Sequence, residues 1–255
     1  MLPRRQATRY VAPLREGGSL PGLVEADDLG TYVMKFTGSG QGRKALVAEV
    51  IVGELGRRLG LRVPDQVVID LDAEIGRYEA DQEVQDLLTA SVGSNLGIDF
   101  LPGSFGYDGM RPAIAAAEAG RILWLDAFTA NIDRTWRNPN LLLWHRNLWC
   151  IDHGAALYFH HSWPRSSPGK FAAQPFDHAG HIFASAAGAS RGADEELAAA
   201  AQASLDQVLG DVPDEWLEPA PDRTAPDDIR ILYRDHLMAR LAPPRRWLPE
   251  EVAGP

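Results

Sequence analysis

Over residues 9–72 the chain switches between two hydrophobic periods. Residues 9–14 and 23–26 carry the short apolar runs of strands, on either side of a glycine-rich turn, Gly17-Gly18-Ser19-Leu20-Pro21-Gly22. Tyr32-Val33-Met34-Lys35-Phe36 predicts a third strand, followed by a Gly/Ser loop over 38–42. From about 44 to 59 the period becomes helical, with Leu46, Val47, Val50, Ile51 and Leu55 on one face and Gly60 placed to cap the end. Val63-Pro64 turns the chain into a strand at 66–71. Residues 73–92 are acidic and predict a loop with a short helix, and 98–103 a connector. Beyond Pro112 the pattern is helical, and 122–130 is apolar almost all round, which predicts a buried helix. A Trp/His/Pro-rich loop (158–180), helices at roughly 193–209 and 226–241, and a poorly ordered tail from Pro243 complete the expectation.

Two apolar runs, 141–144 and 148–151, flank His145-Arg146-Asn147 and predict a β-hairpin with a three-residue turn. Folded about Arg146, Asn140 lies opposite Asp152. A carboxylate beside an amide oxygen is a hard-oxygen pair suited to magnesium, which keeps waters and phosphate oxygens as its other ligands. Asp133 ends the buried helix and starts the loop into this pair, where it could orient or deprotonate a hydroxyl near a metal-bound phosphate. Taken singly, such an Asp is most often a cap and Asn-Pro a loop starter; the ordered set points to chemistry.

Composition sharpens one residue. The 255-residue chain has the apolar and charged content of a soluble globular protein, and a net charge of −10 argues against direct nucleic-acid binding. A single cysteine, Cys150, excludes a disulfide framework and a cysteine zinc cluster, and its place in a core strand predicts inert packing. No apolar run spans a membrane, and the start lacks a signal-peptide core, so a cytoplasmic location is expected. The basic residues are nearly all arginine; the lysines are Lys35, Lys44 and Lys170. A lysine inside an apolar strand is solvated or paired, because an unpaired buried ammonium costs several kcal/mol. Glu49 on the following helix is its natural partner, ahead of Glu54. Gly17-Gly18-Ser19 could present backbone N–H groups to phosphates. His153, His160 and His161 have no companions at ligand spacing and read as loop residues.

Together, Gly18-Ser19-Leu20-Pro21-Gly22, Tyr32 to Phe36, Glu49 leading to Leu59-Gly60-Leu61-Arg62-Val63-Pro64, Asp133…Asn140 and Ile151-Asp152-His153-Gly154 resemble the HipA-like kinase family, in order over residues 10–160. The resemblance implies an α+β, two-lobed protein-kinase-like fold with a small β-rich N-lobe containing one helix and a mainly helical C-lobe. The expected divisions are 1–98, a hinge at 99–104, 105–242 and a tail at 243–255. It implies ATP and Mg2+ as cofactors, with Gly18, Ser19 and Lys35 at the nucleotide phosphates and Glu49 holding Lys35. Asp99, Phe100 and Leu101 would form the hinge beside adenine, Asp133 the catalytic base, and Asn140 and Asp152 the metal ligands. The interval from Asp133 to Asn140 is two residues longer than the usual kinase loop, so Asn138 competes with Asn140. Histidine stands where Asp-Phe-Gly has phenylalanine. The expected activity is transfer of the γ-phosphate to a hydroxyl of a protein Ser/Thr or a small molecule. The rivals are a nucleotide-binding pseudokinase acting as an interaction module, and a metal-dependent hydrolase built on Asp126, Asp133 and Asp152.

Overall fold

The computed structural model describes residues 1–15, 20–77 and 79–250 and is a mixed α+β structure. Strands β1 (Arg4–Pro13), β2 (Gly22–Ala26), β3 (Thr31–Lys35), β4 (Gln66–Leu71) and β5 (Gly93–Asp99) close into a barrel in the order β1-β2-β3-β5-β4. Parallel pairing of β1 with β4 seals it. Side chains alternate as a pleated strand requires: Tyr32 and Met34 of β3 turn into the barrel with Val24, Val67 and Ile69. Val33 and Lys35 lie on the opposite face, where Val33 packs on the cluster containing helix α1 (Gly42–Arg58). Gly60 ends α1 in a left-handed conformation, with Leu61 N–H reaching back to Gly56 O at 2.9 Å.

Strand β5 departs from the sequence expectation, which placed only a connector at its end. Gly93, Asn95 and Gly97 dilute the β signal, yet β5 sits between β3 and β4 and pairs with both. Glycine is required at 97 because an added Cβ would lie 2.4 Å from Ile69 Cδ1 and 2.9 Å from Val67 Cγ2. Buried Asn95 accepts from Thr37 N–H (2.9 Å) and tethers the loop after β3. Helix α2 (Gln82–Ala90), N-capped by Asp81, contributes Val84 and Leu88 to the barrel core.

Beyond the barrel, β6 (Phe105–Gly106), β7 (Leu141–Trp144) and β8 (Asn147–Cys150) form a small antiparallel sheet. It packs with α3 (Ala116–Thr129), α4 (Pro168–Ala173), α5 (Ala187–Gly192), α6 (Asp194–Asp211) and α7 (Pro226–Leu241). One apolar cluster runs from Ile51 and Leu55 of α1 through Leu123, Trp124 and Phe128 of α3 to Leu205 and Leu237. The predicted loop at 158–180 instead contains 3-10 turns at Tyr158–Arg165 as well as α4. The predicted loose tail is also packed at its start: Trp247 is buried against Trp124 (5.3 Å between rings) and Phe128, with its indole N–H on Arg240 O at 2.6 Å.

Candidate active site

Lys35 leaves β3 on the face toward α1, and its ammonium meets two carboxylates. It donates to Glu49 Oε1 from α1, and to Asp152 Oδ1 at 2.7 Å. Glu49 is 1 % exposed; its Oε1 also accepts the Gly154 N–H at 2.8 Å, while Oε2 is buried with no partner among the described residues. An added Cβ on Gly154 would stand 3.2 Å from Glu49 Oε1, so glycine lets the backbone come this close. Burial works against the Lys35 charge, but the two carboxylates outweigh it and hold the ammonium above its ordinary range. Burial pushes the Glu49 carboxyl up against the pull of Lys35. Asp152 would also be raised by burial, yet the Lys35 ammonium beside it brings it down to about 2. One cation shared by two carboxylates leaves an excess negative charge facing outward, since the Asp152 side chain is 47 % exposed. Glu54 pairs with Arg57 instead.

The hairpin that delivers Asp152 has a two-residue turn, not the expected three. His145 and Arg146 both take positive φ (48° and 66°), the backbone of a type I′ turn, so Trp144 pairs with Asn147 and Leu141 with Cys150. Asn140 therefore pairs with Ile151, whose N–H reaches Asn140 O at 3.1 Å, and Asp152 is one residue beyond rather than directly opposite. Asn140 and Asp152 are themselves in the left-handed region (φ 48° and 55°), where the ladder gives out. Cys150 is buried within β8 and burial pushes its thiol up to about 12.

Asp133 is gathered with both asparagines. Its Oδ2 accepts from Asn140 Nδ2 at 3.1 Å and from Asn138 Nδ2 at 2.9 Å, and its own N–H donates to Asn131 Oδ1 at 3.2 Å. Each amide thus points its nitrogen at Asp133 and keeps its oxygen for another partner. Asn140 is buried and next to the Asp152 end of the ladder, whereas Asn138 is exposed. The chain between them closes on itself, with Thr135 N–H reaching Asp133 O (2.9 Å) and Asn138 O (3.0 Å).

A residue that the sequence reading passed over holds these parts together. Arg134 is fully buried; it donates from Nε to Asp126 Oδ2 (2.6 Å) and from Nη1 to the carbonyls of Asn140 and Ile151 (3.4 Å to the latter). Its Nη2 donates to His153 Nδ1 at 3.2 Å, which leaves the His153 proton on Nε2. Burial and the adjacent guanidinium bring His153 down to about 3, so it stays neutral. Asp126 also takes His181 Nε2 (2.9 Å) and Asn131 Nδ2 (3.0 Å); burial would raise it, but Arg134 and His181 hold it at about 2. Asp126, Asp133 and Asp152 thus each have separate partners, and no group of three or more His, Cys, Asp or Glu that could hold a metal ion occurs among the described residues. His160 is consumed by Tyr233 (2.9 Å) and His161 (3.2 Å).

At the end of β5, Asp99 N–H is bound to Asp65 O (2.8 Å) and Phe100 N–H to Thr31 O (3.0 Å). Gly18 and Ser19 lie outside the described residues; the strands beside them close through Leu14 N–H to Pro21 O at 2.7 Å. No helix among the described residues is long and apolar enough to cross a membrane.

This arrangement has relatives. The chain is similar in fold to the Helicobacter pylori proinflammatory kinase CtkA, at a TM-score of 0.51 and 12 % identity over 91 % of this chain and 96 % of that one. No curated protein matches it in sequence. A family model described as HipA-like kinase matches residues 8–248, nearly the whole length, and the chain belongs to the HipA-like kinase family.

Proposed function

We propose that the chain is an ATP- and magnesium-dependent phosphotransferase in which the barrel with α1 (1–98) and the helical part (105–242) act as two lobes about a hinge at 99–104. The observation that carries this reading is the Lys35 ammonium shared between buried Glu49 and half-exposed Asp152. Cations shared by two carboxylates also occur in structural ion pairs of this chain, as at Arg245 with Asp194 and Glu195; what suits this one to a triphosphate is that Asp152 would hold the metal while Lys35 would turn to the phosphates.

The donor set fits magnesium: Asp152 supplies a carboxylate kept ionised by its neighbour, and Asn140 a free amide oxygen, with Asn138 the less suited of the two. When bound, the ion would neutralise charge building on the β- and γ-phosphate oxygens. Glu49 would hold Lys35 in place at the α- and β-phosphates. Gly18 and Ser19 would offer backbone donors from the β1–β2 turn. At the hinge, the Asp99 and Phe100 N–H groups are already engaged, so among Asp99, Phe100 and Leu101 it is the Leu101 N–H that would meet the base of the nucleotide. Asp133, oriented by two amide donors, would take the proton of the acceptor hydroxyl as the new O–P bond forms and ADP leaves. The acceptor is a hydroxyl of a protein Ser/Thr or of a small molecule, and the location is cytoplasmic.

Incubation with γ-labelled ATP and Mg2+ tests the reading. Label should move to protein or to a small acceptor, and Asp133→Ala should abolish transfer while ATP still raises the melting temperature. Thermal stabilisation with no transfer by the unmodified chain would overturn it in favour of a nucleotide-binding module.

A further inference from the structure

Strand β5 is tied to the structure beyond the barrel at both of its ends. After Asp99 the chain itself crosses over, through buried Leu101. At the other end Ser94 Oγ accepts the indole N–H of Trp216 at 3.0 Å, and Trp216 is 1 % exposed. Trp216 belongs to the segment 212–218 that follows α6, where Asp214–Trp216 form a 3-10 turn. Arg230 of α7 anchors that segment on its own side, donating to Leu209 O (3.1 Å) and Val212 O (2.7 Å) and pairing with Asp214. Neighbouring charges follow the same line. Asp70, opposite Ser94 across the β4–β5 ladder, accepts from Arg4 at 2.8 Å, and Arg4 reaches on to Glu215. Glu218 stands 3.7 Å from Lys44 in the first turn of α1. Such exposed ion pairs add little singly; the buried indole with its hydrogen bond is the anchor.

The spacing of the two ties decides what they do. At about 3.3 Å per residue, Ser94 and Asp99 lie about 16 Å apart along β5. A body held at one point can swing about it in any direction, as in hinge closure. Held at two points, it can only turn about the line that joins them. Lys35 sits alongside the stretch between the ties, because β3 pairs Lys35 with Leu96 and Tyr32 with Asp99. The β3 backbone is only about 5 Å from that line, so turning about it displaces Lys35 slightly. The contact that crosses from the barrel to the rest of the site, Lys35 to Asp152 at 2.7 Å, is the one this arrangement protects.

We propose that Trp216 is a positioning residue: with the crossing at 99–104 it holds the barrel at one setting, so that Lys35 stays opposite Asp152 and the cleft does not swing open and shut about a single hinge. The inference rests on the phosphotransferase reading and adds that the nucleotide enters a cleft of set width. Spin labels on L29C, at the β2–β3 turn, and Q207C, on α6, report that setting as a distance by pulsed electron resonance. Both positions are exposed, whereas Cys150 is buried with its thiol pushed up to about 12 and takes no label. One narrow distance is expected, with and without MgATP. It should broaden in S94A and in W216F and stay narrow in S94T, which keeps the hydroxyl. Phosphate transfer should fall about tenfold in S94A and survive in S94T. A broad distribution before either tie is cut would overturn the proposal, as would a narrow one that MgATP shifts. So would a distance that S94A and W216F leave narrow while their melting temperatures fall, which is how a merely structural contact behaves. The distance needs no turnover: a chain that transfers no phosphate yet loses its narrow distance in S94A sinks the phosphotransferase reading and leaves the tether standing.

Discussion

Asp126 and Glu49 are carboxylates of almost no exposure, one on α3 and one on α1, and each answers to a buried cation. Their surroundings differ. Asp126 has three donors, from Arg134, His181 and Asn131, and both of its oxygens are used. Glu49 keeps one oxygen orphaned, and its lysine is divided with a second carboxylate that faces solvent. Burial and shifted protonation are common to both clusters, so neither property tells structure from function. Unfinished valence does: the closed cluster maintains the fold, and the open one is where the proposed nucleotide and its metal would bind.

The contrast can be broken from either side. The largest effect is expected from Asp126→Ala, which strands the Arg134 guanidinium in the core; urea denaturation should show a loss of about 3–5 kcal/mol. The wild-type pair also predicts an acid limb. Because the folded Asp126 titrates below its unfolded value, its contribution is complete above about pH 4 and is lost as pH falls toward about 2, which denaturation in that window measures. Next comes Lys35→Met. It should reduce phosphate transfer by about 10²–10³-fold, as loss of a charge-stabilising donor does, with destabilisation greater at pH 7 than at pH 5, where the two carboxylates can begin to be neutralised. Gly154→Ala tests the close approach on Glu49 and should cost about 1 kcal/mol with a partial loss of transfer, since the carboxylate must shift by a few tenths of an ångström. Smallest of all, Asn138→Ala should change stability by less than about 0.5 kcal/mol, and it should reduce transfer less than Asn140→Ala does when the two are assayed side by side.

What the sequence disclosed follows from how far each signal travels along the chain. Lys35 and Glu49 were legible together because each interrupts an apolar pattern, one of period two and one helical, fourteen positions apart. Asp133, Asn140 and Asp152 were legible as an ordered set around a hairpin. The register was not, since His145-Arg146 takes a backbone usually marked by Asn-Gly, and two bulky residues at positive φ leave no trace in composition. β5 was hidden by its glycines. Arg134 could have been suspected from its place directly after Asp133, at the end of an apolar helix where a charge needs a reason. His181 could not: it reaches Asp126 from 55 residues away through a stretch without periodicity. Trp247 likewise gave no pattern, because a single anchor has no period.

The short circuit of hydrogen bonds at Thr135 separates the length of the Asp133–Asn140 stretch from the span it has to cover. Arg134 pins one end and the Asn140 carbonyl the other, while the intervening residues balloon outward with Trp136 at 57 % exposure. The stretch is therefore an external loop with an inward tether, since Asn138 within it still donates to Asp133 Oδ2. Such a stretch offers its exposed tip at Arg137 for a reporter while Asn138 and the spacing of Asp133 and Asn140 are preserved.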